Sequence, residues 1–296
     1  MPTYSILGLR FELPWSLDLP AVEEPADYQV TFGPVEDVPD DPAIDSPLMT
    51  RKGRALELSM GGICRMVVPG QGTPAQVECY PHREQSIEEV KRQVLEHLIP
   101  RLLSRHYQLV LHASCAVFEH NALGFFARSG SGKSTMALAM ARAGATILGD
   151  DSLVLDRGPD GAMARALWST VRAFNDSLST TLEVERPDAE SSKIVLTHGE
   201  AARLTFERGA HPLKALYALE ESDEIRILPM SPREAMLALL REAYHLEFDD
   251  MKGMAELMAR TEQLGLTRRT FRLAYPRDFA RLPEVVARVR AHAASL

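Results

Sequence analysis

Up to about residue 84 the apolar positions come in short runs, at Tyr4 to Phe11, Tyr28 to Phe32, Ala55 to Met60, Cys64 to Val68 and Gln76 to Tyr80. Runs of this length predict strands, and the intervals carry turn chemistry at Pro39-Asp40-Asp41-Pro42, Gly61-Gly62 and Pro69-Gly70. The pattern changes at Ser86. Followed by Glu88 and Glu89, that serine reads as a helix start, and Ile87, Val90, Val94, Leu98 and Leu102 recur at helical spacing. The expected organisation is a small β-rich domain over 1–85 and a larger domain over 86–296.

In the larger part, Leu109 to His112, Cys115 to Phe118 and Leu123 to Phe126 read as strands, the last two joined as a hairpin through Glu119-His120-Asn121. Ser134 to Arg142 reads as a helix stopped at Gly144, and Thr146-Ile147-Leu148 as a short buried strand. Strand, Gly-rich loop, helix and strand make an α/β unit. Further along, Trp168 to Val184 reads as strand and loop, with strands at Ile194 to Leu196 and Leu216 to Glu220. Helices follow from Pro232 through Tyr244, over about 252–263 and from Pro283 onward.

Composition narrows the class without naming it. The 296 residues are 45% hydrophobic and 25% charged, which excludes disorder, collagen and coiled coil as whole-chain readings. A formal charge of −8 opposes a surface built to track nucleic acid or an anionic membrane, and no basic-aromatic platform is visible. The charge is uneven. From Arg260 to Leu296 there are eight arginines against Glu262, Asp278 and Glu284, so this tail carries about +5 and the remainder about −13. Cys64, Cys79 and Cys115 show no Cys-x-x-Cys spacing and read as reduced, buried thiols. Neither a signal segment nor an apolar run long enough for a membrane span is present, so the expected location is cytoplasmic.

The most informative segment is Ser129-Gly130-Ser131-Gly132-Lys133-Ser134-Thr135, between a predicted strand and a predicted helix. A P-loop needs glycines so that backbone N–H groups converge on phosphate oxygens, a lysine to neutralise β- and γ-phosphate charge, and a Ser or Thr hydroxyl for Mg²⁺. Each role has a residue here, and Lys133 and Ser134 are the firmest assignments. Ala127 stands where the full motif has its leading glycine, which is costly only if that position requires a left-handed backbone.

One helix and one strand later, Gly149-Asp150-Asp151 places two carboxylates just past a buried strand, where an open α/β sheet presents its ligand crevice. Phosphoryl transfer needs one carboxylate to hold Mg²⁺ and, in a kinase, another to orient the attacking hydroxyl. His112, at the end of an earlier strand, is expected to partner Asp150 as an orienting or proton-handling group. Arg172 is the leading candidate for a cation across from Lys133, ahead of Arg203 and the tail arginines.

Leu111-His112-Ala113-Ser114, Ser129 to Thr135, Gly144 and Gly149-Asp150-Asp151 together resemble the catalytic domain of HPr kinase/phosphorylase. The resemblance is good over about 100–156 and looser over 168–290. There Val171 to Ser177 and Ser231 to Arg241 look like the HPr-kinase-related branch, as does the opening Tyr4 to Arg10 with Glu12-Leu13-Pro14. It implies a P-loop fold akin to phosphoenolpyruvate carboxykinase, with ATP and Mg²⁺ as cofactors. Lys133 and Ser134 then serve nucleotide and metal, His112 partners the catalytic carboxylate, Asp150 is the likelier base and Asp151 its metal-side neighbour. Some members of that branch phosphorylate a serine of a lasso-peptide precursor, notably at its C-terminus. A Glu-x-Arg-Gly-type signature is missing, which leaves reverse phosphorolysis and HPr as substrate outside what the resemblance carries.

The expected function is an ATP- and Mg²⁺-dependent kinase acting on a serine hydroxyl of a peptide or small protein. A small-molecule kinase of the same fold and a non-catalytic nucleotide-binding protein stand as alternatives. Whether the chain forms a homo-oligomer stays open.

Overall fold

The computed structural model describes residues 1–37, 48–69, 74–83, 85–106, 109–128, 130–182, 193–197, 204–245 and 251–296. It is a mixed α/β structure whose contacts fall into two compact units. The first is built on Met1–Arg105, and the second on His106–Tyr244 and the chain's end through Leu296. The units divide at Arg105, whereas the change of sequence pattern lies near residue 85, because the helical segment after Ser86 belongs with the first unit.

The first unit carries β1 (Thr3–Ile6), β2 (Leu9–Glu12), β3 (Ala21–Val22), β4 (Tyr28–Phe32), β5 (Leu48–Lys52), β6 (Ala55–Met60), β7 (Cys64–Val68) and β8 (Ala75–Pro81). They form one sheet in the order β3-β1-β2-β4-β8-β7-β6-β5. Leu56, Leu58, Met60, Cys64, Met66, Val68, Val77 and Cys79 are buried at every second position, the period of a sheet with one covered face. The run from Tyr4 to Phe11, read as a single strand, is instead the hairpin β1–β2. Leu7 and Gly8 both have positive φ, 49° and 87°, as a tight hairpin turn demands, and a leucine there gives no turn signal. After Ser86, whose side chain caps the amide of Glu89, come α1 (Ile87–Gln93), a π-helical turn (Val94–Leu98) and α2 (Ile99–Ser104). All three cysteines are free and buried, and burial pushes the Cys64 thiol up to about 12.

The second unit is ordered β9 (Leu109–Leu111), β10 (Ala113–Phe118), β11 (Asn121–Phe126), α3 (Lys133–Arg142), β12 (Thr146–Gly149), β13 (Leu153–Gly158), β14 (Gly161–Ala166), β15 (Val171–Ala173), α4 (Asn175–Leu182) and β16 (Ile194–Leu196). Then come β17 (Ala210–Glu221), β18 (Arg226–Pro229), α5 (Pro232–Glu242), α6 (Met251–Gln263), β19 (Thr270–Tyr275) and α7 (Leu282–Ser295). The main sheet runs β12-β10-β11-β17-β14-β13-β9, with β19 beside the far half of β17 and β18 beside β19. The β10–β11 hairpin turns at Glu119-His120, both at positive φ.

Helices cover both faces of this sheet. On one, Met136 and Met140 of α3 and Val285, Val286 and Val289 of α7 pack on Phe125, Tyr217 and Leu273. On the other, Leu239 of α5 and Leu257 of α6 pack on Cys115, Leu153 and Leu216. A third cluster joins the remaining side of α3 to α4 and to the small β15–β16 ribbon through Ala137, Leu138, Leu178, Val171 and Leu196. Helix α4 corrects the reading of Trp168 to Val184 as strand and loop. Its Ser-Thr-rich sequence is a poor isolated helix former, and it holds through burial of Leu178 and Leu182. Among the described residues no helix is long and apolar enough to cross a membrane.

The arginine-rich tail is dispersed rather than gathered. Arg272 reaches Glu220 and Glu234, Arg277 reaches Glu221, Arg260 reaches Glu256, and Arg281 and Arg288 share Glu284. Arg290 lies 4.0 Å over the ring of Phe118.

Gly149 closes β12 under tight constraint. A Cβ there would stand 2.7 Å from the Cβ of Ala166 and 2.9 Å from the Trp168 carbonyl oxygen, which is backbone and cannot swing aside. Gly149→Ala is therefore expected to cost about 1–3 kcal/mol in urea unfolding. Gly62→Ala, with nothing within 4 Å of its Cβ, stays within about 0.5 kcal/mol of wild type or gains slightly. Equal unfolding midpoints for the two variants would remove steric closure as the reason for glycine at 149.

Candidate functional site

Strand order brings three distant segments to one edge. β11 and β12 both run antiparallel to β10, which lies between them, so their carboxyl ends emerge beside the start of β10. The register is explicit: Ala113 faces Phe126, and Cys115 faces both Gly124 and Gly149. The loop after β11, the Asp pair after β12 and the residues His112 to Ser114 thus meet without long side chains having to span the gap.

In the loop, Gly130 and Gly132 have φ of 75° and 89°, conformations that side chains rarely tolerate. Gly132 caps α3 with no side-chain hydrogen bond, which leaves the helix's first N–H groups open toward the loop. Tyr275 closes over this point, its hydroxyl 3.0 Å from where a Cβ on Gly132 would be. Lys133 is only 5% exposed, and its Nζ donates to the Ala127 carbonyl across 2.9 Å. Burial lowers the Lys133 pKa against the opposing pull of Asp151, Glu242 and Asp150. Ala127 is not among the residues at positive φ, so alanine in place of the motif's leading glycine carries no left-handed penalty. Ser131 is bonded through its amide to the Arg128 carbonyl, and the Thr135 hydroxyl is tied to Ser177 of α4 at 2.9 Å. Ser129 and Arg203 lie outside the described residues.

The two carboxylates have opposite surroundings. Asp150 is 3% exposed and takes hydrogen bonds from the Ser114 hydroxyl and the Arg172 amide, the latter at 2.9 Å, with the Ser134 hydroxyl close enough to favour its charge. Burial first, and the adjacent charge of Asp151 second, nevertheless raise its pKa. Asp151 sits at φ 63°, and this left-handed turn separates its carboxylate from that of Asp150. His112 Nε2 lies 3.2 Å from Asp151 Oδ1, and Arg172 Nη1 lies 3.9 Å from Oδ2. Burial raises the Asp151 pKa, but the His112 hydrogen bond and charge, with Lys193 and Arg172, outweigh it and hold the carboxyl well below its usual range.

The expected partnership of His112 with Asp150 is therefore corrected: the histidine reaches Asp151. Asp150 is turned inward by Ser114, Ser134 and the backbone of β15, while His112 is anchored from behind by Glu242, whose carbonyl accepts its amide at 2.7 Å.

A cavity of about 260 Å³ opens over the loop. It is lined by Gly130, Gly132, Lys133, Ser134, Thr135, Asp151 and Arg172 from the expected set, and also by Phe174, Lys193, Tyr275, Phe279 and Leu282. Asp150 and His112 stand behind Asp151 rather than on the wall. Phe174 lies within Val171 to Ser177, a segment the sequence singles out; Lys193, Tyr275, Phe279 and Leu282 belong to no motif, and Tyr275 arrives as the last residue of β19, which runs parallel to β17 as β11 does. Of the tail arginines, Arg277 reaches the wall.

No family model matches the chain, and no curated protein matches it. Among solved structures it is similar to the Hpr(Ser) kinase/phosphatase from Coxiella burnetii, at 13% identity and a TM-score of 0.33, over 63% of this chain and 97% of that one.

A buried carboxylate with a raised native pKa binds its proton more tightly folded than unfolded. Native stability then falls as pH rises from the unfolded value through the native one, and the cost is fully present once Asp150 is ionised in both states. Asp150→Asn is therefore expected to raise the thermal midpoint at pH 7.5, in the presence of a chelator, by roughly 2–6 °C. The gain should shrink as the pH is taken down toward 4. An unchanged or lower midpoint at pH 7.5 contradicts a destabilising buried charge.

Proposed function

We propose that this chain is an ATP- and Mg²⁺-dependent phosphotransferase acting on a serine hydroxyl of a peptide or small protein. The observation that carries the reading is the junction of loop and Asp pair: Ser134 lies beside Asp150, while Asp151, backed by His112, faces the cavity that the same loop lines. One hydroxyl and one or two carboxylates suit Mg²⁺, which usually keeps waters and phosphate oxygens for its other positions. Among the described residues no group of three or more His, Cys, Asp or Glu forms a metal cage, and this kind of site does not call for one.

Bound nucleotide and metal supply the phosphoryl group and a cation that offsets its charge. Ser134 would hold the metal with the Asp150 charge behind it, and Lys133 would give up the Ala127 carbonyl for phosphate oxygens. The open N–H groups of Gly132 and the start of α3 face the same anion. Asp151 orients the acceptor hydroxyl, and His112 keeps Asp151 in place and ionised. In transfer, the acceptor oxygen bonds to the γ-phosphorus as the bond from that phosphorus to the β–γ bridging oxygen breaks. The bridging oxygen keeps the electron pair and leaves as ADP, and the hydroxyl proton passes to Asp151. With a pKa held below the ordinary value of about 3.9, Asp151 is a weak base that works by orientation and accepts the proton late. In this reading the two carboxylates exchange the roles expected from sequence.

The acceptor class rests on the likeness of Tyr4 to Arg10 and Glu12-Leu13-Pro14 to the branch that includes lasso-precursor kinases. The test is incubation with γ-labelled ATP, Mg²⁺ and precursor-like peptides encoded beside this protein, with free serine and sugars run in parallel. Label on a peptide serine is the expected result. Label on a metabolite instead moves the acceptor to small molecules, and nucleotide binding without transfer to anything marks a binding protein. Lys133→Ala should weaken nucleotide binding by about 100-fold, whereas Asp151→Asn should leave it within about threefold and slow transfer by about 10²–10⁴. Undiminished transfer by Asp151→Asn would overturn the mechanism.

A further inference from the structure

The ribbon of β15 and β16 places one more cation over the loop. Its register pairs Arg172 with Val195 and Ala173 with Ile194, so the next cross-strand pair outward is Phe174 with Lys193. Val171, Ala173 and Leu196 point inward to the cluster on α3 and α4, which fixes the ribbon to the helix that begins with Lys133. Arg172, Phe174, Lys193 and Val195 therefore share the opposite face, and the first three line the cavity.

The two cations on this face differ in what they already hold. The Arg172 amide is bonded to Asp150, and its guanidinium leans on Asp151. The Lys193 ammonium lies 5.8 Å from the centre of the Phe174 ring, and among the described residues it makes no ion pair. Its charge reaches both sides of the site: it adds to burial in depressing Lys133, and it helps His112 keep Asp151 ionised. A lysine whose charge is felt by both groups, on the wall of the same cavity, is placed to meet an anion bound at Lys133.

We infer that Lys193 is a second catalytic cation, contacting the oxygens of the transferring phosphoryl group from the side opposite Lys133. This inference rests on the phosphotransferase reading above. Charge spread over those oxygens in a loose transition state is where a fixed cation acts most strongly. The alternative is that Lys193 only stacks on Phe174 and shapes the rim.

Calorimetric titration of the full chain with Mg²⁺ and either ADP or a non-hydrolysable ATP analogue separates the two, using wild type, Lys193→Met and Lys193→Arg. Thermal melts confirm that each variant is folded. Lys193→Met should bind the ATP analogue about tenfold more weakly and ADP within about twofold. It should also lower kcat about 10²-fold or more with the acceptor KM unchanged. Lys193→Arg should recover at least about a tenth of kcat. If Lys193→Met binds both nucleotides and turns over like wild type, while Lys133→Ala does not, the inference fails and the phosphotransferase reading stands. If wild type binds neither nucleotide, the reading itself fails.

Discussion

Asp150 is a carboxylate almost wholly withdrawn from water, and the arrangement around it depends on polar groups converging from three different elements. The Ser114 hydroxyl of β10 and the Arg172 amide of β15 donate to it, and the Ser134 hydroxyl in the first turn of α3 lies close enough to favour its charge. Each donor alone is a modest interaction, but an ionised carboxylate buried without them would cost several kcal/mol. The requirement that they converge fixes where the phosphate loop sits relative to the strand after it. It also fixes how the ribbon bearing Arg172, Phe174 and Lys193 lies over the loop.

The convergence is possible because of one topological feature, the antiparallel strand β10 inserted between β11 and β12. In a sheet where the loop strand and the carboxylate strand are direct neighbours, no third strand enters from the ligand side. Here β10 begins where the other two end, so His112 and Ser114 arrive with backbone precision and divide the Asp pair between them. Ser114 takes Asp150 inward, and His112 takes Asp151 outward. The left-handed backbone at Asp151 turns the chain out of the strand direction immediately after Asp150, a conformation that a non-glycine residue adopts at a cost.

Much of this was legible in the sequence where local chemistry is specific. Gly130, Gly132, Lys133 and Ser134 announce the loop, the short apolar run at Thr146 announces the strand that delivers the Asp pair, and Pro232 announces α5, whose start the structure shows to be a capping box of Ser231 and Glu234. What could not be read depends on pairing between distant segments. That His112 meets Asp151 rather than Asp150 follows from the β10 register and a single left-handed residue. β13, β14, β18 and β19 do not show because Asp156, Arg157, Arg165 and Arg272 interrupt their apolar runs; β13 and β14 form a local hairpin, whereas β18 and β19 pair across two intervening helices. The hairpin at Leu7-Gly8 and the helix α4 are cases in which tertiary burial overrides a misleading or weak local preference.

The charge distribution gives the site its direction. Several tail arginines are met at the surface of the second unit by Glu220, Glu221, Glu234 and Glu256, pairs worth little singly. The cavity wall instead brings Lys133, Lys193, Arg172 and Arg277 together with Asp151, Asp176 and Asp278, while Asp150 stands buried behind Asp151. Such an arrangement is costly when empty. A bound anion relieves the lysines and a divalent cation relieves the carboxylates, so a ligand carrying both is favoured over either alone, and a nucleotide with its Mg²⁺ has that character. Under the proposed function, that same imbalance is what favours a metal-bound polyphosphate in the cavity.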